Sequence, residues 1–298
     1  MSGPLNVAVV MLSWNGRGDT LACLDSLCDI TYEPLFVVVV DNGSADGSAD
    51  AVATAHPNAI LVRLDRNHGF AGGTNIGIRT ALEHGADAVL MLNNDMVVES
   101  GFVEPLAAAA SAGAACPQML FADLPDRIWY AGASFRPTRG HHGRNTHYGE
   151  PPLPASAAPY ATDCGCAGAM LVPATVLAEV GLLDEELFAY REDLDWSLRA
   201  RARGRTVLVV PASVVRHKIS ASTGGEASAT SLYYDVRNGL VVAERYAPLG
   251  RLGTARRRAE AVFAHLAQGA RSGHRSATIR AVLSGWRDAR RGKLGQRG

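Results

Sequence analysis

Residues 35–48 read LFVVVVDNGSADGS. Six apolar residues, the last four all valine, end abruptly in a carboxylate, an amide and a run of small turn formers. β-Branched residues suit a pleated strand, and an apolar run without polar alternation is a strand covered on both faces. The pattern predicts a buried strand over 35–40, a polar turn, and a helix over 47–55 that stops at His56-Pro57, because a residue before proline avoids helical backbone. Working outward, the same grammar repeats. VAVVML at 7–12 predicts a strand, and residues 19–28 a helix with Asp19 as N-cap. AILVRL at 59–64 predicts a third strand. The glycine-rich stretch 69–77 predicts a loop running into a helix that ends near Gly85, and ADAVLML at 86–92 a fourth strand. This rhythm predicts an α/β fold with a mostly parallel central sheet and helices on both faces. Ligands in such sheets sit at the carboxyl ends of the strands, and Ser13, Asp41, Asn67 and Asn93 all fall just past strand ends.

The second half is less regular. Residues 99–115 predict an Ala-rich helix, and residues 123–162, rich in Pro, Gly, His and Arg, predict loop and edge strands. GAMLV at 168–172 and TVLVV at 206–210 predict strands ended by Pro173 and Pro211. Helices are expected over 174–180, 192–203, 228–246 and 254–290. The expected organisation is one domain over 1–245, divided at 98/99 into a ligand-binding half and a catalytic half, followed by a basic helical tail over 246–298.

Of the 298 residues, 47% are hydrophobic and 19% charged, a globular composition able to bury a sizeable core. Formal net charge is zero, so no global feature points to nucleic acid. The charge is uneven. From Arg251 onward twelve Arg and Lys face only Glu260 and Asp288. Such a segment is either a solvated helical face, or the contact for an anionic surface such as a membrane, or a dimer-forming helix. No apolar run reaches the roughly 18–20 residues that cross a bilayer, and MSGPLN is not a signal peptide, so a cytoplasmic protein is expected. Five cysteines without a C-x-x-C spacing fit reduced thiols.

Five stretches carry chemistry. Asp41 in VVVVDNGSADGS is placed to accept hydrogen bonds from a pyrimidine base, although D-N-G-S is also plain turn chemistry. In RNHGFAGGTNIGI, 66–78, glycines let backbone approach a ligand, or a helix approach a strand; the spacing is neither the dinucleotide fingerprint nor a P-loop. In VLMLNNDMVVE, 89–99, Asn93, Asn94 and Asp95 are hard oxygen donors suited to Mg²⁺ or Mn²⁺ on a diphosphate, or a strand-ending Asx turn. In LFAYREDLDWSLRARARG, 187–204, Glu192, Asp193 and Asp195 crowd a helix N-terminus, where the macrodipole alone favours them. Asp193 and Trp196 share a helical face, so Trp196 is either a sugar platform or core. In VVRHKISAS, 214–222, His217, with Ser220 and Ser222 near it, is a metal or phosphate ligand or a structural histidine.

In this order and spacing, SWN (13–15), VVDNGSADGS (39–48), NHGFAGGTNIG (67–77), LNNDMV (92–97), REDLDWSLR (191–199), HKISAS (217–222) and YYDVRNGL (233–240) resemble the inverting family 2 glycosyltransferases of the GT-A fold, whose core is a Rossmann-like sheet. The rhamnosyltransferase-like bacterial branch is the nearest likeness. The resemblance spans about residues 7–240. It implies that Ser13, Trp14, Asn15, Asp41, Gly43 and Ser44 hold the base and ribose. Asn67, Phe70, Gly73, Asn75, Asn93 and Asn94 would line the rest of a nucleoside-diphosphate sugar, dTDP- or UDP-linked. Asp95 matches the last acid of the D-x-D-type metal motif, with Asn93 where a second acid often stands, and His217 a further ligand for Mg²⁺ or Mn²⁺. Asp193 matches the general base, beside Glu192, with Tyr190, Trp196 and Asp163 on the acceptor side. The acceptor would be a glycan, a lipid-linked sugar or a natural product, and residues 123–162, with His141, His142 and His147, its variable wall. Two rivals are a nucleotidyltransferase, for which only Gly16, Arg17 and Gly18 argue, and a non-catalytic nucleotide-sugar-binding protein.

Overall fold

The computed structural model describes residues 3–136, 141–218, 228–269 and 275–297. In its first half β1 (Val7–Ser13), α1 (Arg17–Leu27), β2 (Leu35–Asp41), α2 (Ser48–Ala55), β3 (Ile60–Arg63), α3 (Gly69–Glu83) and β4 (Ala88–Asn93) alternate as the sequence predicts. These four strands lie parallel in the order β3-β2-β1-β4. The first five residues of both β1 and β4 are buried, which is why their sequence shows no polar alternation. α3 presses on β1 and β2 so closely that a side-chain carbon at Gly73 or Gly77 would sit 2.4 Å from Leu12 or Val10. α1 begins at Arg17 with Gly16 as its cap, so Asp19 lies within the first turn instead of capping it.

The second half follows with β5 (Met96–Val98), α4 (Val103–Ala109), β6 (Gly113–Phe121), β7 (Ile128–Tyr130), β8 (Ala133–Arg136), β9 (His141–Asn145), β10 (Tyr160–Thr162), β11 (Ala169–Pro173), α5 (Ala174–Val180), α6 (Glu192–Ala202), β12 (Thr206–His217), α7 (Ala229–Tyr246), α8 (Arg251–Gly269) and α9 (Arg275–Arg291). β11 runs antiparallel to β4 and to β6, β6 runs parallel to β12, and β10 closes that edge. The sheet is thus parallel in its first half and mixed in its second. β8 and β9 form a separate ribbon.

Two expectations are corrected here. The Ala-rich stretch is helical only to Ala109, and after a short 3-10 turn the chain enters β6, whose first eight residues are buried. Alanine fits a helix by propensity and a sheet by size, and burial between β11 and β12 decides for the sheet. β12 does not stop at Pro211. The register shifts between Val210 and Val214, and this irregularity absorbs the missing proline N–H while the strand continues to His217.

The segment beyond residue 246 is two helices rather than the single run expected over 254–290. Both pack on α7. Leu232, Val236 and Leu240 of α7 meet Ala261 of α8 and Val282 of α9 in a small core of their own. Arg257 is wholly buried there and donates to the carbonyls of Ala243 and Ala247. The last residues return to the main body, where Gly295 N–H donates to the Glu186 carbonyl and the Gly295 carbonyl accepts from Arg237. Among the described residues no helix is long and apolar enough to cross a membrane.

Candidate active site

The register of the parallel strands sets the first wall of the site. Ser13 pairs with Asp41, and Leu12 with Asn93, so β1, β2 and β4 end at one level. The loops that follow are knotted together. Asn15 N–H donates to Ser44 Oγ at 3.0 Å, Asn15 Oδ1 accepts from Ala45 N–H at 2.8 Å, and Ser44 N–H reaches Asp41 Oδ2 at 3.3 Å. Gly43 makes the turn with φ +73°, and an added carbon there would sit 2.7 Å from the Arg66 backbone. Two groups are left over. Asp41 Oδ1 is buried without a partner, and Trp14 is 42% exposed despite its size. A buried carboxylate oxygen costs free energy unless something bonds to it, so Asp41 is aimed at a donor from outside the chain.

A residue overlooked in the sequence holds the next wall. Asn42 is buried, and its Nδ2 donates to Asn67 Oδ1 and the Gly69 carbonyl while its Oδ1 accepts from His68 N–H. It ties the end of β2 to the start of α3 and uses up Asn67, whose Oδ1 also accepts from Gly69 N–H at 2.7 Å. The only signal for it was its place beside Asp41, where it read as one more turn former. Phe70 is half-buried against the main core.

Other residues expected to contact the donor have internal partners in the structure. Ser13 Oγ shares a hydrogen bond with Thr20 at 2.8 Å and is 1% exposed. Asn75, equally buried, donates to the Leu183 carbonyl and to Glu185 and accepts from Leu183 N–H. It fastens α3 to the segment before the catalytic helix. Gly73 serves the close packing of α3.

The metal position is assembled from distant parts of the chain. Asp95 lies in the turn between β4 and β5, and β5 pairs with the end of β12, Met96 opposite His217. His217 Nε2 therefore stands 3.3 Å from Asp95 Oδ2, across 122 positions of sequence. The edge of Trp129 packs against the imidazole with ring centroids 4.2 Å apart. Asp95 Oδ1 and His217 Nδ1 are both buried without partners. Mg²⁺ and Mn²⁺ ligands at about 2.1 Å in an octahedron lie about 3 Å apart, so this donor pair fits such an ion. Among the described residues no group of three or more His, Cys, Asp or Glu forms a metal cluster. Asn94 Nδ2 donates to Thr20, and the Asn93 side-chain amide lies over Gly168. Ser220 and Ser222 lie outside the described residues, as do the side chains of His141 and His142; His147 bonds Glu150 at 2.7 Å.

The three acids at the start of α6 separate cleanly. Asp195 accepts from Arg199 at 2.9 Å and Tyr246 at 2.9 Å, with Arg245 at 3.4 Å, and it holds the fold together. Glu192 Oε2 is buried without a partner. Asp193 Oδ1 accepts from Leu194 N–H at 2.7 Å, the Ala167 N–H also bonds to this carboxyl, and the Asp193 carbonyl accepts from Ser197 Oγ. Burial, and then the Asp193 charge, push the Glu192 carboxyl up to about 8. Burial also raises Asp193, while the Arg191 guanidinium and backbone N–H groups pull it back. The two carboxyls titrate as one buried pair that is harder to ionise than free acids, and the Arg191 charge and backbone N–H groups favour the charge on Asp193. The neighbouring thiols of Cys116, Cys164 and Cys166 are pushed up by burial, so they stay neutral and inert.

On the acceptor side the structure gives Trp196 and Asp163 internal partners. Trp196 is 1% exposed with its indole N–H on the Gly181 carbonyl, so its ring is core and offers no sugar platform. Both oxygens of Asp163 are occupied, one by Arg201 and one by Phe135 N–H. Tyr190 is half-buried in a segment of unusual backbone: Phe188, Tyr190 and Arg191 have φ of 66°, 67° and 72°. Left-handed backbone in large side chains persists only when neighbours impose it. Here α7 imposes it. Asn238 Nδ2 donates to the carbonyls of Leu187, Ala189 and Tyr190, and Arg237 adds a second bond to Leu187. The same segment presses the Phe188 carbonyl onto Gly69, where a side-chain carbon would stand 2.4 Å from it.

Comparison with known proteins agrees with this geometry. The profile of Glycosyl transferase family 2 matches residues 8–163. The chain is 32% identical to the N-acetylglucosaminyl-diphospho-decaprenol L-rhamnosyltransferase of Mycobacterium tuberculosis, over 67% of this chain and 72% of that one. It is 26% identical to the dTDP-rhamnosyl transferase RfbF of Shigella flexneri, over 82% of each. Among solved structures, GalNAc-T7 with UDP, GalNAc and Mn²⁺ superposes with a TM-score of 0.62 at 18% identity, over 81% of this chain and 48% of that one, so this chain spans about half its length. The mannosyltransferase PcManGT of Pyrobaculum calidifontis, with GDP-Man and Mn²⁺, gives 0.58 at 18%, over 98% and 89%. The fold is GT-A.

Proposed function

Because the chain belongs to glycosyl transferase family 2 and is a nucleotide-sugar glycosyltransferase, we propose that it transfers L-rhamnose from a dTDP-linked donor to a hydroxyl of a lipid-linked glycan, with inversion and with Asp193 as base. The observation that carries the mechanism is the buried Glu192–Asp193 pair at the start of α6, where Glu192 Oε2 has no partner and the Arg191 charge and backbone N–H groups favour the charge on Asp193. The donor and acceptor readings are supported by the names of the two rhamnosyltransferase relatives.

The residues divide the work. Trp14 and Asp41 meet the base and ribose, and Asn93 and Asn94 face the diphosphate side. Asp95 and His217 would hold Mg²⁺ or Mn²⁺, which would supply positive charge to offset that of the departing diphosphate. Asp193 takes the proton of the acceptor hydroxyl as that oxygen bonds to the anomeric carbon. The bond from that carbon to the diphosphate oxygen breaks, and the nucleoside diphosphate leaves with the electron pair. A single displacement inverts the centre. Glu192, still protonated, donates a hydrogen bond to the acceptor and does not compete for its proton.

The outer faces of α8 and α9 expose Leu252, Phe263, Ile279 and Leu283 in an arginine-rich setting. An apolar and cationic face suits peripheral contact with an anionic bilayer, where a lipid-linked acceptor resides.

The test is to incubate the full chain and Asp193→Asn with dTDP-L-rhamnose, UDP-sugars and Mn²⁺, and to follow nucleoside diphosphate release and the anomer of the product. Wild type should release dTDP and give the inverted anomer. Asp193→Asn should turn over roughly 10³-fold more slowly with donor binding intact. Near-normal turnover in that variant removes Asp193 from the role, and release from a UDP-sugar alone overturns the donor.

A further inference from the structure

The counter-ion of the catalytic pair is itself held from the far end of the chain. Arg191 Nε lies 2.6 Å from Asp235 Oδ1 on α7. The other oxygen of Asp235 lies 3.0 Å from His265 Nε2 on α8, and the remaining ring nitrogen of His265 lies 2.7 Å from the Ala261 carbonyl. His265 is 7% exposed. Burial alone would raise the Asp235 carboxyl, but Arg191 and His265 outweigh it and hold it well below the usual carboxylate range. A ring nitrogen facing an ionised carboxylate donates, so Nε2 carries a proton. Arg191, at the end of the line from His265 through Asp235, immediately precedes Glu192 and Asp193, and its charge acts on both.

We propose that His265 is a positioning residue of the transfer reaction: by holding Asp235 it fixes Arg191 against the Glu192–Asp193 pair and sets how much of the Arg191 charge that pair feels. The electrostatic logic has a definite sign. The charged and titratable groups that face the pair are Arg191 from its own segment, Asp235 from α7, the Tyr130 hydroxyl from β7 and the neutral thiols of Cys116, Cys164 and Cys166. Arg191 favours ionisation of the pair and Asp235 opposes it. His265 draws on the Asp235 charge, which leaves more of the Arg191 charge for the pair. Without His265, Asp235 turns wholly to Arg191 and the pair becomes harder to ionise. A base in α6 is in this way tuned by a helix that begins more than fifty residues later in the chain.

The proposal rests on Asp193 as base, but its test needs neither donor nor acceptor. The full chain is labelled with ¹³C at Asp and Glu carboxyls and titrated by NMR from pH 4 to 9, with the pair assigned by its absence in Glu192→Gln and Asp193→Asn. In His265→Ala the midpoints of the pair should rise, lowering its ionisation constants about threefold, and His265→Gln, whose amide still donates to Asp235, should recover about half of that change. A role in stability alone would lower the unfolding temperature and leave the midpoints unmoved, and this result overturns the proposal. If His265→Ala does not fold, His265→Gln decides by itself: its partial rise supports the relay and no rise overturns it. Near-normal turnover in Asp193→Asn would overturn the base and leave the titration standing; unmoved midpoints beside an inactive Asp193→Asn overturn the relay alone.

Discussion

The donor wall and the catalytic wall are built on opposite plans. The donor wall is a set of turns that follow buried parallel strands, and most of its bonds run between neighbouring loops: Asn15 to Ser44, Ser44 to Asp41, Asn42 to Asn67. The catalytic wall is a short segment of left-handed backbone pinned by a helix that lies 48 to 51 positions further along the chain. A strand carries its own turn to the right place, because the sheet fixes where the strand ends. The 187–191 segment has no regular structure of its own to place it and depends on Asn238 and Arg237.

The largest effect that can break this contrast lies where the two plans meet, at Asp95 and His217. Chelation with EDTA should abolish transfer, with Mn²⁺ or Mg²⁺ restoring it, and His217→Ala should weaken metal affinity at least about 10-fold. Full turnover in chelator would make Asp95 part of the donor wall only. Next, Asn238→Ala strands the Ala189 and Tyr190 carbonyls and leaves Leu187 to Arg237 alone, which should cost about 2–4 kcal/mol in urea unfolding, with a fall in turnover. Asn42→Ala should cost about 1–3 kcal/mol and weaken donor binding more than turnover. Equal effects of the two on donor affinity would erase the distinction.

The smallest effect is a pH dependence of stability. The Glu192 carboxyl is raised from 4.5 to about 8 in the fold, so the unfolded chain releases this proton first as pH rises. Its contribution to stability is complete below about pH 4.5 and is lost as pH climbs through 8. Glu192→Gln should therefore unfold a few degrees higher than wild type at pH 8.5, and the gap should close near pH 4.5. A gap independent of pH would show that Glu192 is not buried as a neutral acid.

The same contrast explains what could be read in advance. Apolar runs such as LFVVVV announce their strands, and a polar residue after such a run announces a site, so Asp41, Asn93 and Asp95 were visible. The chemistry of the REDLDW helix start was visible through its resemblance to a family. What local sequence hides is which polar residue spends its bonds inside the protein. Asn75 looks like a ligand amide and Asn42 like one more turn former, and both are tied internally. Asp195 and Asp193 look alike at the head of α6, yet Arg199 and Tyr246, the latter 51 positions away, engage only the first. β6 was hidden because alanine does not distinguish a helix from a strand packed between close neighbours. β12 was hidden because proline reads as a stop where a shift of register lets the strand go on.

One contact carries a lesson for anyone recombining such enzymes. The Phe188 carbonyl rests on Gly69, and Ala71 N–H also bonds to it. The donor-binding half and the segment that delivers the base are therefore interlocked parts, cut to one another at a spot where no side chain fits. A hybrid that takes residues 1–98 from one homologue and the remainder from another inherits this joint as a compatibility rule. It keeps a working geometry only if position 69 lacks a side chain and the incoming segment bends as Phe188 does, with φ 66°.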